Sequence, residues 1–296
     1  MTATSSGPAD QPGAADQSGP ANQPGAADQP GRTAPADQAP VLVTRVGERI
    51  ARITLNRPHK RNALDRQARQ ALRDALAECR DASVVVLAGA GGTFCAGMDL
   101  SQLATKSRDD EDELNRSWRM VQEDIRHHPA IVIASVAGYA LGGGATLINT
   151  CDLAVVAEDA RIGTPEIGFG FYPGLAGPAA QLRLSAKRAA WMVLTAERID
   201  GRTAEAWGMA NLAVPAAELD RRTLELAERV AGFDPVALEW SKKALWQIPM
   251  HIGEWGAALE FGAYVNAEIH ARTRSHEGAL EGFLGGVRHP GQGADR

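Results

Sequence analysis

From residue 41 onward, short apolar runs alternate with longer stretches of helical spacing. Two β-rich runs, 41–46 and 49–55, flank Gly47-Glu48 and predict a hairpin. The second run leads to Pro58, which ends the extended segment. Apolar positions Ala68, Ala71, Leu72, Ala75, Leu76 and Cys79 recur every three or four residues, predicting a helix over about 65–80 with Asp65 as its cap. Continuous apolar runs at 83–87, 130–136 and 152–157 read as strands buried on both faces. A charged helical stretch around 110–126 separates the first two, and a glycine loop with a short helix to about 149 separates the last two. That alternation predicts βα units with parallel pairing and right-handed crossovers. Beyond about 175 the spacing is mostly helical, with helices over 175–184, 186–196, 202–209, 217–232, 235–247, 252–273 and 275–284. The fold class is α/β: a β/α core over 41–232 followed by a helical region over 233–296.

Composition changes this picture at one end. The 296-residue chain is 44% hydrophobic and 23% charged, as globular proteins are. Residues 1–40 differ: after Met1 they hold no aromatic residue and no aliphatic larger than Ala, and Gln-Pro-Gly or Gln-Ser-Gly recurs at Gln11, Gln17, Gln23 and Gln29. Without large apolar residues such a repeat cannot offset its ordering entropy, so a disordered tail is expected. The tail also lacks the apolar stretch of a signal peptide and the Arg-rich pattern of a transit peptide. Cys79, Cys95 and Cys151 are odd in number and have no metal-ligand spacing, which predicts a reducing, cytoplasmic setting with neither disulfide nor metal. No apolar run reaches the ~18 residues of a membrane span. The net charge of −5 argues against nucleic acid as a partner. Arg57, His59, Lys60 and Arg61 still form one compact basic cluster that would suit a smaller anion.

Three loops are candidates for chemistry. Gly89-Ala90-Gly91-Gly92 follows a predicted strand and runs on to Leu100. It is either a tight turn or the start of a dinucleotide fingerprint, but Phe94 stands where the third glycine of that fingerprint belongs and no helix opens directly after it. Gly142-Gly143-Gly144 opens a helix after a strand. Its glycines serve close packing, or they leave free N–H donors for an anion or a developing oxyanion. Glu166 lies in the Gly/Pro-rich segment 161–174, where a carboxylate is either exposed or buried for use.

Taken together, Asn62-Ala63-Leu64, the 94–100 segment, Gly138-Tyr139-Ala140-Leu141-Gly142-Gly143-Gly144, Cys151-Asp152-Leu153, Pro165-Glu166 with Pro173-Gly174, and the late run 194–215 resemble the enoyl-CoA hydratase/isomerase (crotonase) family over about 41–284. The resemblance implies a spiral of ββα units with a helical trimerisation region, hence a homotrimer or hexamer. It implies an acyl-CoA thioester as substrate and no separate cofactor, since coenzyme A is part of the substrate. The CoA would lie near Lys60, Arg61, Ala63, Ala96, Asp99 and Leu100. The backbone N–H groups of Met98 and Gly143 would hold the thioester oxygen. Fixed donors of this kind stabilise enolate charge most where water is excluded.

One position departs from the family. Its two-acid hydratases carry a glutamate two residues past the triple glycine, where this chain has Thr146, whereas Glu166 matches the second acid. One carboxylate can shuttle a proton but not split water across a double bond. The pattern therefore resembles the enoyl-CoA isomerases, or the hydroxycinnamoyl-CoA hydratase-lyases with a hydroxyl residue at the first position. Thr146 either binds a water or Glu166, or fills space. Alternatives outside this chemistry are a non-catalytic acyl-CoA binder, an enzyme for carrier-protein-bound acyl groups, against which Glu166 counts, and a Clp-type serine peptidase, for which Gly142 to Thr146 offers no serine. His127-His128 at a helix end, the acidic run 109–113, Cys95 and the tryptophans of the helical part read as structural.

Overall fold

The computed structural model of the protein describes residues 39–99, 101 and 107–286. The tail expected before residue 39 and the candidate Leu100 lie outside the described residues.

In chain order the strands are β1 (Val41–Arg45), β2 (Ile50–Leu55), β3 (Val84–Gly89), β4 (Ile131–Val136), β5 (Tyr139–Leu141), β6 (Leu153–Ala157), β7 (Arg161–Gly163) and β8 (Leu212–Val214). The helices are α1 (Arg66–Glu78), α2 (Arg108–Arg126), α3 (Gly143–Thr150), α4 (Gly177–Arg183), α5 (Ala186–Thr195), α6 (Gly201–Trp207), α7 (Leu219–Ala231), α8 (Pro235–His251), α9 (Trp255–Arg272) and α10 (Ser275–Leu284). The predicted hairpin is present, with Val41 opposite Leu55 in antiparallel register. From β2 onward the main sheet is parallel and its order, β1-β2-β3-β4-β6-β8, follows the chain. Each crossover thus advances by one strand, and the chain winds as a spiral.

A second, thinner layer runs alongside. It consists of the parallel pair β5–β7 and the single bridges Leu64–Met98, Cys95–Ala140 and Ile162–Ile199. Each turn of the spiral therefore supplies a long strand, a short second-layer segment and a helix. Every residue of β4 is buried, as its unbroken apolar run requires, and α7 packs across β3, β4 and β6. Asp65 caps α1 as expected, accepting the Ala68 N–H at 2.7 Å. Ser107 and Asp110 form a capping box at the acidic start of α2.

Three strands escaped the sequence pattern. β5, β7 and β8 have three residues each, too few for a periodicity to register. The α8 helix outruns its expected end at 247, continuing through Pro249 to His251. Proline near a helix end forfeits only one backbone bond. The next helix starts at Trp255, where the Glu254 side chain accepts from the Gly256 and Ala257 N–H groups at 2.9 and 2.6 Å.

The helical region is fastened by an ion pair whose lysine is buried. Lys242 of α8 reaches Asp152 at 2.7 Å and donates to the Ile125 and Ala130 carbonyls, each at 2.9 Å. No helix among the described residues is long and apolar enough to cross a membrane.

Candidate active site

The site begins with Asn62. Its φ of +57° is left-handed, a conformation asparagine tolerates better than most residues. Its buried amide donates to the Ala90 and Thr93 carbonyls at 2.9 and 2.6 Å and accepts from the Arg57 N–H at 2.9 Å. One side chain thus joins the β2–α1 connection to the glycine-rich loop after β3. The two segments then run side by side: the Ala96 N–H donates to Arg61, the Leu64 N–H to Gly97, and the Asp99 N–H to Leu64.

That ladder carries Met98 to the start of α3. Gly97 has φ +95°, and a β-carbon there would lie 2.7 Å from the Leu141 oxygen and 3.3 Å from the Gly143 nitrogen. Only glycine permits this approach. Among the described residues, neither the Met98 N–H nor the Gly143 N–H donates a backbone or side-chain hydrogen bond recorded in the structure. Gly143 stands at the first position of α3, where N–H groups lack helical partners. Two free donors therefore flank one point, backed by Trp118, whose indole N–H donates to the Leu175 carbonyl at 3.2 Å. A β-carbon on Gly143 would meet the Met98 Cε at 3.0 Å and Trp118 at 3.6 Å.

Glu166 lies beside the residue that precedes α3. It sits in a 3-10 turn, Pro165–Phe169, after β7. Its Oε1 lies 2.8 Å from where a β-carbon on Gly142 would be, so a side chain there would meet the carboxylate. Its Oε2 is buried with no hydrogen-bond partner. Burial pushes the Glu166 carboxyl above its usual range, and only a backbone hydrogen bond opposes the shift. Leaving such an oxygen unpaired costs about 1–3 kcal/mol or more, which marks the position as one kept for use. Thr146 is also buried, but its hydroxyl faces the Leu175 and Gly142 carbonyls at 3.2 and 3.3 Å rather than Glu166.

The candidates for CoA contact divide into two sets. Lys60 and Arg61 are exposed, and Ala96 is half-buried on the ladder beside them. Ala63 is buried, and its carbonyl accepts from the Arg57 guanidinium. The Asp99 carboxylate turns inward to Arg57 at 3.1 Å and to the Ser101 hydroxyl at 2.6 Å. Burial pushes the Asp99 carboxyl up, but these partners prevail and hold it below its usual range. Asp99 thus braces its own loop, together with the Arg57–Asp65 pair at 2.8 Å.

The sequence matches the family model for enoyl-CoA hydratase/isomerase over residues 45–283. The chain belongs to the enoyl-CoA hydratase/isomerase family. It is 35% identical over 241 residues to the 2,3-dehydroadipyl-CoA hydratase of Escherichia coli, covering 80% of this chain and 92% of that protein. It is 32% identical over 209 residues to the hydroxycinnamoyl-CoA hydratase-lyase of Pseudomonas fluorescens, covering 65% of this chain and 73% of that one. Its backbone resembles the crystal structure of an enoyl-CoA hydratase from Mycobacterium smegmatis with a TM-score of 0.79 and 28% identity, over 84% of this chain and 97% of the other.

Met98, Gly143 and Glu166 come from three successive turns of the spiral and meet where the second layer passes the start of α3. No group of three or more His, Cys, Asp or Glu side chains suited to a metal occurs among the described residues. Sequence reasoning quoted Asn62 only as part of a motif and passed over the brace from Arg57 to Asp99. A buried asparagine before a glycine loop is a usable signal, because only its three-way hydrogen bonding justifies burial. Cys95 is buried, its thiol pushed up to about 12 by burial, and its sulfur accepts the Gly97 N–H at 3.4 Å.

Proposed function

We propose that this enzyme moves a proton on an enoyl-CoA thioester, using Met98 and Gly143 N–H groups for the thioester oxygen and Glu166 as the proton carrier. Double-bond isomerisation is the chemistry one carboxylate serves best. The Glu166 carboxylate takes a proton from the α-carbon, and the electron pair moves onto the thioester oxygen as a dienolate. The two N–H donors offset that charge, and the protonated Glu166 returns the proton at the γ-carbon. The observation that carries this reading is the buried, unpartnered Oε2 of Glu166 beside free N–H donors, with Thr146 bonded to carbonyls at the position of the second acid. A raised pKa suits a group that must both accept and donate.

A second reading is hydratase-lyase chemistry, favoured by the likeness to the hydroxycinnamoyl-CoA hydratase-lyase and by a hydroxyl residue at the first acid position. Incubation of the protein with a panel of enoyl-CoA thioesters in deuterated water, followed by mass and double-bond analysis, separates the two. Isomerisation yields a shifted double bond and no added water, with deuterium entering only as far as Glu166 exchanges its proton with solvent before returning it, whereas the second reading yields an aldehyde and a shortened acyl-CoA. Simple hydration would contradict both. Turnover of no thioester would point to a non-catalytic binder.

Assembly as a homotrimer or hexamer belongs to the same proposal. Leu245, Trp255, Leu259, Leu280, Phe283 and Leu284 on α8–α10 are exposed, and α9 buries only Val265. Apolar exposure of this extent is characteristic of an interface. Sedimentation equilibrium finding only monomer at micromolar concentration would exclude it.

A further inference from the structure

Glu166 belongs to a segment, 165–175, that is anchored on either side of an exposed stretch. Just before it, the buried Thr164 hydroxyl donates to the Met192 carbonyl of α5 at 2.8 Å. Residues 167–172 are exposed, and their one side-chain tie is at the surface, where Gln181 of α4 donates to the Tyr172 hydroxyl. A β-carbon on Gly168 or Gly170 would meet nothing within 4 Å. The far anchor is the Leu175 carbonyl, which accepts both the Trp118 indole N–H and the Thr146 hydroxyl, each at 3.2 Å. Both donors are buried, and they come from different helices, α2 and α3. A single acceptor engaged by two buried side chains is held more firmly than one bond would hold it.

Trp118 also touches the other half of the site. Its Cζ2 lies 3.6 Å from where a β-carbon on Gly143 would be, with the Met98 Cε at 3.0 Å from the same spot. One ring thus packs behind the start of α3 while its N–H holds the segment that carries Glu166. A buried indole brings a polar atom that must be satisfied, and here its partner is a carbonyl of that segment. We propose that Trp118 is a positioning residue for the proton transfer, setting the Glu166 carboxylate against the oxyanion donors, with Thr146 as its partner on the Leu175 carbonyl. This role rests on the single-carboxylate chemistry proposed above. It gives Thr146 a task of its own, because a hydroxyl that fastens the Glu166 segment need not hold a water. A carboxylate that serves two carbons in turn must be held closely, so a loosened segment costs rate rather than binding.

The test compares wild type with Trp118→Phe, which keeps an aromatic ring but drops the N–H, with Thr146→Val and Thr146→Ser, and with Trp118→Phe combined with Thr146→Val. Turnover is measured on the substrate found in the thioester panel, and hydrogen–deuterium exchange of residues 165–177 is followed without substrate. Trp118→Phe should lower kcat about tenfold or more and leave KM within about threefold. Exchange in the segment should quicken while the main sheet keeps its wild-type protection. The acid limb of the rate profile should move down toward the ordinary carboxylate range, because water admitted beside Glu166 relieves the burial that raises its carboxyl; no charged side chain contributes to that rise. Thr146→Val should lose roughly two- to fivefold in kcat and Thr146→Ser should stay within about twofold. The double variant should lose more than the product of the single losses, since each donor partly covers for the other. A lowered Tm with kcat and acid limb unchanged would make Trp118 a packing residue and overturn the proposal, as would a KM rise at constant kcat or unchanged exchange in the segment. Wild type that turns over no thioester refutes the proposed chemistry, and the exchange comparison then still shows whether Trp118 holds the Glu166 segment.

Discussion

Replacing Asn62 separates the two things this residue does for the loops. Asn62→Gly keeps the left-handed backbone but removes three hydrogen bonds, to Ala90, Thr93 and Arg57. At roughly 0.5–1.5 kcal/mol each, partly recovered by water because these partners are only half-buried, the loss should be about 1–4 kcal/mol. Asn62→Ala loses the same bonds and must also hold an ordinary residue at φ +57°, which adds roughly 1–2 kcal/mol. Urea unfolding of both variants reads the two quantities directly, with the Ala variant the less stable. The ladder that Asn62 anchors also aims the Met98 N–H, so kcat/KM should fall more than tenfold at temperatures where both variants remain folded. Displacing a donor for a developing oxyanion by a fraction of an ångström is sufficient for that. If both variants unfold within about 0.5 kcal/mol of wild type, Asn62 does not hold the loops together, since even one buried bond is worth more.

Three further outcomes follow from buried groups. His128 accepts the Ala130 N–H and faces the Leu76 carbonyl, and burial lowers its pKa from 6.5 to about 4. Between those values the unfolded chain binds a proton that the native state does not, so stability falls as pH drops, by roughly 2 kcal/mol from pH 7 to pH 5. His128→Gln should flatten this slope in urea titrations at the two pH values, and an unchanged slope would place its origin elsewhere. Lys242→Met removes the contact to Asp152 at 2.7 Å and two hydrogen bonds to carbonyls and should destabilise by about 1–3 kcal/mol, since Asp152 keeps access to water; an unchanged unfolding midpoint refutes the clamp. Gly97→Ala forces a β-carbon against Leu141 and Gly143 and should lower kcat by about 10²-fold or more with circular dichroism unchanged; near-normal turnover would remove Met98 and Gly143 from the oxyanion role.

Much of the scaffold was legible because its strands and helices obey simple periodicities. The unbroken apolar runs became β3, β4 and β6, and Asp65 capped α1 where the helical spacing began. The second layer was not legible, because β5, β7 and the single bridges rest on backbone contacts between loops rather than on a hydrophobic pattern. That layer is nonetheless what brings Met98, Gly143 and Glu166 together. Glu166 and the triple glycine were found through their motifs, and the structure adds that the Glu166 Oε2 is unpartnered. Asp99 and Thr146 show the limit of motif reading. Position placed both at the site, but the directions of their side chains, toward Arg57 and toward the Leu175 carbonyl, depend on partners far away in sequence.

The proton-carrying role proposed for Glu166 is tested most directly by single-turnover kinetics of Glu166→Gln on the substrate found in the thioester panel. The amide keeps the shape and removes the proton acceptor beside Gly142. Turnover should fall roughly 10²–10⁴-fold while binding of the CoA thioester changes little. In wild type the rate should decline with acid through a pKa above the ordinary carboxylate range, since burial raises the Glu166 carboxyl. Glu166→Gln that retains near-wild-type turnover would contradict the single-carboxylate mechanism and require another group to carry the proton.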